Sequence, residues 1–415
     1  MSATNTAPAW SPGLSAQTAA SWSEGVEYAR NGPMRILAFS DVALPEGSGG
    51  VERQIFEVYG RIIRRDGADI RLIALGRDGL PREEVRDGVL VRRARQLPLD
   101  RVTGAQATIS PFVWRTAWHE VRRFQPDVIH ANTLFYATTL ASAAVAARTG
   151  TPLVVTAHIG HLNALSQPYR TLSKAYEATL GRWVLGRASR VICIGDAVQE
   201  HIVAIGAPRD RTCSIPNGVD SSVFFPGPRG DGDIPTIVSV GRLIFNKGNQ
   251  YLLAALQQLS SHGRAFRLVI VGDGPMRAAL VRQTSELGLD RMVSFVGRRD
   301  DVPELLRTAD IYVRPSLTES MPMGVLEAMS SGLAVIASDV GATSEIINPG
   351  RNGLMVAPRS VTDLRSALER LLDDATLRAR LGAAARETAL SYDWERVADA
   401  TFGEFARAIT TCRAS

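Results

Sequence analysis

The sequence predicts an α/β protein built from two doubly wound domains, and three observations carry that prediction. Short apolar runs alternate with helical stretches from Met34 onward, as parallel strands covered on both faces require. The chain has 415 residues, about twice the usual size of one domain. A Pro/Gly-rich break, Phe225-Pro226-Gly227-Pro228-Arg229-Gly230-Asp231-Gly232-Asp233, separates two sets of such runs. A closed eight-fold barrel is the rival architecture; the number of strands and the central break argue against it.

In chain order, residues 1–33 are rich in Ala, Ser and Thr and lack a basic start followed by an apolar core. They read as a flexible leader rather than a signal peptide. The first domain, 34–225, takes its strands from Arg35–Phe39, Ile70–Leu75, Val128–Ala131, Leu153–Ala157, Val191–Ile194 and Cys213–Pro216. The second, 226–390, takes them from Thr236–Val240, Leu268–Val271, Val293–Val296, Ile311–Val313, Ala334–Ala337 and Leu354–Val356. The last segment, 391–415, holds a helix from Trp394 to Ile409, with Val397, Ala400, Thr401, Phe405 and Ala408 at helical spacing.

A hydrophobic fraction of 45% and a charged fraction of 21% fit a soluble globular protein. No run approaches the roughly 20 apolar residues needed to span a bilayer. Cys193, Cys213 and Cys412 are too scattered for a disulfide framework or a metal cluster, so the cytoplasm is the expected compartment. Residues 34–225 carry a net charge of +6 and residues 226–415 a net charge of 0. Either only the first half meets an anionic partner, or its arginines simply solubilise the surface. No basic run sits on a recognisable nucleic-acid-binding module, and nucleic acid is not an expected partner.

The chemistry concentrates at strand-to-helix corners. Glu319-Ser320-Met321-Pro322-Met323-Gly324-Val325-Leu326-Glu327 follows the run Ile311-Tyr312-Val313-Arg314-Pro315 and leads into a helix. Open α/β sheets bind ligands at such corners. Pro322 suits the first helical turn, and Gly324 leaves backbone amides uncovered for a phosphate at the positive helix end. Glu319 and Glu327 flank that anion site, as a ligand with both phosphates and hydroxyl-rich rings would require. A sugar nucleotide is such a ligand. After Val240 comes Gly241-Arg242-Leu243-Ile244-Phe245-Asn246-Lys247-Gly248, where two cations can converge on one anion or stand as solvated loop charges. Gly272, in Val271-Gly272-Asp273-Gly274-Pro275, marks a third, weaker corner. In the first half, Gly47-Ser48-Gly49-Gly50-Val51-Glu52 forms a matching corner that serves either a ligand or tight packing. Two domains with ligand-compatible corners suggest one shared cleft.

His158 follows a strand and should face that cleft; His130 also ends a strand and reads as a hydrogen-bonded structural residue. His158 and His161 have no evident third partner for a metal, and Asp231 and Asp233 read as solvated linker. No metal or other cofactor is expected.

Together these residues resemble the retaining glycosyltransferases of family four, which have the GT-B fold of two Rossmann-like domains facing a central cleft. The resemblance runs from about Met34 to Trp394. Glu319 and Glu327 match the family's E-x7-E motif, and Gly241-Arg242-Leu243 with Lys247-Gly248 match its diphosphate loop. Pro216-Asn217-Gly218-Val219-Asp220 matches the hinge segment. Asp339-Val340-Gly341-Ala342-Thr343-Ser344-Glu345-Ile346-Ile347 with Gly353-Leu354 matches the closing strand and helix. Gly49-Gly50-Val51-Glu52 resembles the first glycine-rich loop.

The resemblance implies that Arg242 and Lys247 neutralise the leaving diphosphate, and that the segment Met321, Pro322, Met323, Gly324 and Val325 binds substrate, the amides near Met323 and Gly324 holding phosphate or donor-sugar hydroxyls. It implies that Glu319 orients the transferred sugar and that Glu327 binds the ribose. Gly49, Gly50, Gly241 and Gly272 would approach the donor, and Val296, Gly297 and Arg298 would lie near the base. His158 would be the active-site histidine, and the final helix would cross back to the first domain. The implied reaction moves a hexose-type sugar from a UDP- or GDP-sugar to a hydroxyl acceptor. A sugar-nucleotide epimerase and a non-catalytic sugar-nucleotide-binding subunit are the alternatives. Phe112, Trp114, Arg115, Trp118, Arg122 and Arg123, with Arg170, Lys174, Arg182 and Arg187, form either a peripheral contact with anionic membrane or an ordinary helical surface.

Overall fold

The computed structural model describes residues 32–41, 49–76, 79–95, 110–135, 137–158, 169–228 and 234–414. Gly47, Ser48, His161, the Arg170 side chain, and residues 1–31 and 229–233 of the expected leader and linker lie outside them. The first domain runs β1 (Arg35–Phe39), α1 (Gly50–Asp66), β2 (Asp69–Leu75), β3 (Glu83–Arg86), β4 (Val89–Ala94) and α2 (Phe112–Phe124). It continues with β5 (Val128–Asn132), α3 (Ala137–Thr149), β6 (Leu153–Ala157), α4 (Tyr169–Tyr176), α5 (Arg182–Arg187), β7 (Arg190–Cys193), α6 (Asp196–Ile205) and β8 (Thr212–Ser214). Its sheet has the order β3-β4-β2-β1-β5-β6-β7-β8.

Every pairing in this sheet is parallel except β3 with β4. The central strands β5 and β6 are buried at every position, which is why they read as largely apolar runs, with His130, Asn132 and Thr156 as their polar members. The β3–β4 hairpin corrects the sequence reading, which has no strand between Leu75 and Val128. Its turn is Asp87-Gly88, both at positive φ (49° and 82°), as a two-residue hairpin turn requires. The charged outer strand Glu83-Glu84-Val85-Arg86 closes one edge of the sheet.

The second domain runs β9 (Thr236–Val240), α7 (Asn249–Ser261), β10 (Arg267–Val271), α8 (Arg277–Glu286), β11 (Val293–Gly297), α9 (Val302–Thr308) and β12 (Ile311–Arg314). It then adds α10 (Met323–Ser330), β13 (Ala334–Ser338), α11 (Thr343–Ile346), β14 (Leu354–Val356), α12 (Val361–Asp373) and α13 (Ala375–Leu390). Its all-parallel sheet has the order β11-β10-β9-β12-β13-β14. Strand order reverses between β9 and β12, the position where doubly wound sheets open a crevice at their carboxyl ends.

The last helix, α14 (Trp394–Ala414), returns to the first domain. Trp394, Val397, Phe405 and Ile409 share a core with Ile36 and Ala38 of β1 and with Ile55, Tyr59 and Ile62 of α1. The chain thus crosses between domains twice, and the crossings touch. Val219 donates its N–H to the Tyr392 carbonyl (2.9 Å), and Trp394 donates to the Val219 carbonyl (3.2 Å). Gly218 packs so closely on the Trp394 ring that an added Cβ would lie 2.6 Å from it. Arg386 Nη1 donates to the carbonyls of Phe224 and Ser330 (both 2.8 Å), fixing the first crossing to the end of α10.

Candidate active site

The site begins where β9 and β12 end. The loop after β9 carries Gly241, Arg242 and Lys247, and the segment after β12 carries Glu319 and leads into α10. Glu319 Oε1 is the focus: it accepts from Lys247 Nζ (2.7 Å) and Ser316 Oγ (2.8 Å), and Arg314 Nε lies 3.3 Å away. Its side chain is only 10% exposed. Burial pushes its carboxyl up, but Arg314, Lys247 and Ser316 outweigh that and hold it below the ordinary glutamate value. Burial, with the Arg314 and Arg242 charges, lowers the Lys247 ammonium despite the opposing Glu319. Arg242 is exposed at the rim.

Helix α10 presents its N-terminus with no capping side chain and no acidic residue in the first turn. Its positive end is therefore not neutralised by its own residues. Pro322 sits at the N-cap, one position before the first helical turn where the sequence reading puts it. Across the cleft, α1 also starts at a glycine cap, Gly49, without a side-chain cap. The two helix starts meet: a Cβ on Gly50 would contact Met323 Cε at 3.5 Å. Arg53, one turn into α1, forms an ion pair with Glu327 of α10 and lies 5.6 Å over the Phe224 ring. Glu327 thus has a cationic partner from the opposite domain.

Two further contacts join the halves. Asn217 donates its backbone N–H to Met321 Sδ (3.0 Å), steadying the segment between the two glutamates. Glu345 of α11 accepts from the N–H groups of Asp196 (3.0 Å) and Ala197 (3.2 Å), capping α6 from the other domain.

His158 follows β6, is buried, and has no hydrogen-bond partner for Nε2 among the described residues. Burial lowers its pKa to about 4, so its ring is neutral near pH 7. His130 is structural, as expected: Tyr59 Oη lies 2.6 Å from Nδ1 and Thr156 Oγ1 2.7 Å from Nε2. Among the described residues, no three His, Cys, Asp or Glu side chains are placed to hold a metal ion.

Several of the corner glycines make room for protein groups. A Cβ on Gly324 would strike the Tyr312 hydroxyl, and one on Gly241 would strike Arg314 Nη1 (both 2.5 Å). Their missing side chains therefore admit protein groups beneath the crevice. Gly272, at φ 128°, packs against the Gly241 carbonyl. Val296, Gly297 and Arg298 stand at the end of the edge strand β11, two strands from β9. Sequence reasoning missed Arg53, Tyr312 and Arg314 as site residues. Arg314 had a signal: a charge as the last residue of an otherwise apolar buried strand.

Two family models match, Glycosyltransferase Family 4 over residues 48–223 and Glycosyl transferases group 1 over residues 224–388. Their junction falls at the first crossing between the two sheets. This chain is a GT-B glycosyltransferase of that type. The glycosyltransferase is 28% identical over 341 residues to 2-deoxystreptamine glucosyltransferase of Streptomyces kanamyceticus, covering 76% of this chain and 87% of that one. It is 27% identical to D-inositol 3-phosphate glycosyltransferase of Nocardia farcinica, covering 79% and 78%. Among solved structures it resembles sucrose-phosphate synthase of Thermosynechococcus elongatus, with a TM-score of 0.75, 23% identity, and coverage of 92% and 100%. Anabaena HepE in complex with UDP has a TM-score of 0.71 and 20% identity, with coverage of 88% and 97%.

Proposed function

We propose that this glycosyltransferase moves a hexose-type sugar from a UDP- or GDP-sugar to a hydroxyl of a glycan, glycolipid or small molecule, retaining anomeric configuration and using no metal. The observation that carries the reading is the convergence of Lys247, Arg314 and Glu319 beside the uncapped start of α10. Breaking the anomeric bond leaves an oxocarbenium-like sugar and adds negative charge to the diphosphate. Fixed cations and a helix end meet that charge where it develops, with no reorganisation during the step. Glu319 orients the sugar, Glu327 takes the ribose hydroxyls, and neutral His158 offers Nε2 to a substrate group. Retention proceeds on the front face, the leaving phosphate accepting the proton of the acceptor hydroxyl, because no carboxylate stands out as a nucleophile among the described residues. Relatives named as glucosyl and inositol-phosphate glycosyl transferases support the substrate class. Incubation with labelled UDP- and GDP-sugars should give transferred or hydrolysed sugar. An isomerised donor, or no reaction with either series, would sink the reading; a glycosyl-enzyme adduct by intact-protein mass spectrometry would sink its front-face step.

Contact with an anionic membrane is a second, separable part of the proposal. Helix α2 buries Val113, Ala117, Val121 and Phe124 and turns Trp114, Arg115, Arg122 and Arg123 outward. Arg122 stacks 4.9 Å over Trp118, and Arg187 of α5 stacks 4.3 Å over Trp183. Such aromatic and cationic pairs suit the headgroup layer. Co-sedimentation should be stronger with anionic than with neutral vesicles; equal, negligible binding ends the idea.

A further inference from the structure

The sheet under the proposed donor crevice contains a cation that the diphosphate loop does not supply. Arg314 closes β12, a strand buried at all four positions, and its own residue is 8% exposed. Its guanidinium lies under the loops of both flanking corners. Nη1 occupies the space a Cβ on Gly241 would need, and Nη2 lies 3.7 Å from the corresponding point on Gly324. Nε faces Glu319 Oε1 at 3.3 Å and has no hydrogen-bond partner of good geometry.

One carboxylate oxygen, Glu319 Oε1, is therefore shared between Lys247 and Arg314. In this arrangement Glu319 serves as an internal counter-anion to the lysine. A diphosphate needs that lysine, and a glutamate stripped of both cations would be a buried, unpaired charge, which is strongly unfavourable. Arg314 is placed to remove that conflict.

We propose that Arg314 is a positioning residue that keeps Glu319 paired while Lys247 turns to the diphosphate of the donor. The idea rests on the sugar-nucleotide reading above and adds an ordering to it. As the phosphate oxygens take over the Lys247 ammonium, the glutamate swings wholly onto the arginine. It stays ionised at the sugar-facing side of the crevice. No covalent bond is made or broken in this step; the Lys247–Glu319 pair is exchanged for a Lys247–phosphate pair while the Arg314–Glu319 pair remains. Gly241 and Gly324 are needed because a side chain at either would displace the guanidinium that makes the exchange workable.

The test uses full-length protein and isothermal titration with UDP, UMP, GDP and GMP. The ratio of diphosphate to monophosphate affinity isolates the contribution that depends on Lys247. Arg314→Gln should cut that ratio about tenfold, since the lysine stays committed to Glu319 in a charge-assisted pair. Arg314→Lys, which keeps the charge, should restore it to within about threefold. In a Glu319→Gln background the arginine substitution should no longer change the ratio. Equal loss of both nucleotides would mean a merely structural role and overturn the proposal. So would a loss of the ratio that persists without Glu319. If Arg314→Gln does not fold, Glu319→Gln alone decides: UDP or GDP must bind at least as tightly as to the unaltered protein, and weaker binding overturns the idea. Failure of the unaltered protein to bind any of the four nucleotides would instead overturn the donor-site reading itself.

Discussion

Lys247 and Glu327 occupy different places in the crevice, and their removal should have different kinetic signatures. In the proposed reaction Lys247 meets the growing leaving-group charge, so Lys247→Ala should lower kcat by about 10²–10³. Glu327 is held by Arg53 and in the proposed reading binds the ribose, so Glu327→Ala should mainly raise the donor KM. Steady-state kinetics checks both; changes within about two-fold would contradict the assignment. The buried histidines give a pH signature. Burial takes His158 to about 4, and burial with the His158 charge takes His130 to about 3, against an ordinary 6.5. Between those values the unfolded chain binds protons that the folded chain does not, so stability falls as pH drops below 6.5. From pH 7 to 5.5 the loss should be roughly 2.5 kcal/mol for the pair, and His158→Asn should remove about half of it. Urea unfolding at the two pH values measures this, and a flat profile would refute it. Glu319, Glu327 and Lys247 were legible from local spacing. Arg53 was not, because its partner lies 274 positions away and no short pattern records a contact made by folding.

Elements were legible in proportion to how locally they are determined. The fully buried parallel strands announced themselves as apolar runs, and the switch to helical spacing marked the segments between them. The β3–β4 hairpin escaped because its strands are rich in Arg and Glu, although Asp87-Gly88 is a strong two-residue turn signal. The joints between domains were readable only as a composition break, whereas their physics lies in tertiary contacts. Gly218→Ala would push a methyl into the Trp394 ring and should destabilise the protein by about 1–3 kcal/mol. Glu345→Ala removes the cap that α6 borrows from the other domain and should cost about 1 kcal/mol. Denaturant titration reads both, and a change below about 0.3 kcal/mol in either would mean that the contact carries no weight.

At the scale of the molecule, the two halves share more than a hinge. A single apolar cluster runs from Leu37, Val155 and Val198 in the first domain through Val219 and Phe224 to Met321, Val325 and Val335 in the second. Unfolding should therefore be one calorimetric transition, and two separated peaks would show that the domains melt independently. UDP or GDP at about 100 times its Kd should raise that stability by about 2.7 kcal/mol. The two-domain plan was legible from length and the central break. Their closeness across the cleft was not, since it depends on Arg53, Asn217 and Glu345 finding partners in the other half.

The return of α14 gives the protein a built-in attachment point for a distance ruler. Cys412 is exposed and its Sγ lies 3.5 Å from the Gly150 carbonyl, so it travels with the half that opens the sequence. Burial pushes the Cys193 thiol up to about 12 and the Cys213 thiol well above its ordinary value, leaving both poorly reactive. A thiol-directed fluorophore would thus settle on Cys412 and mark the half containing β1. With a second fluorophore on the half containing β9, energy transfer would follow opening and closing of the cleft in solution.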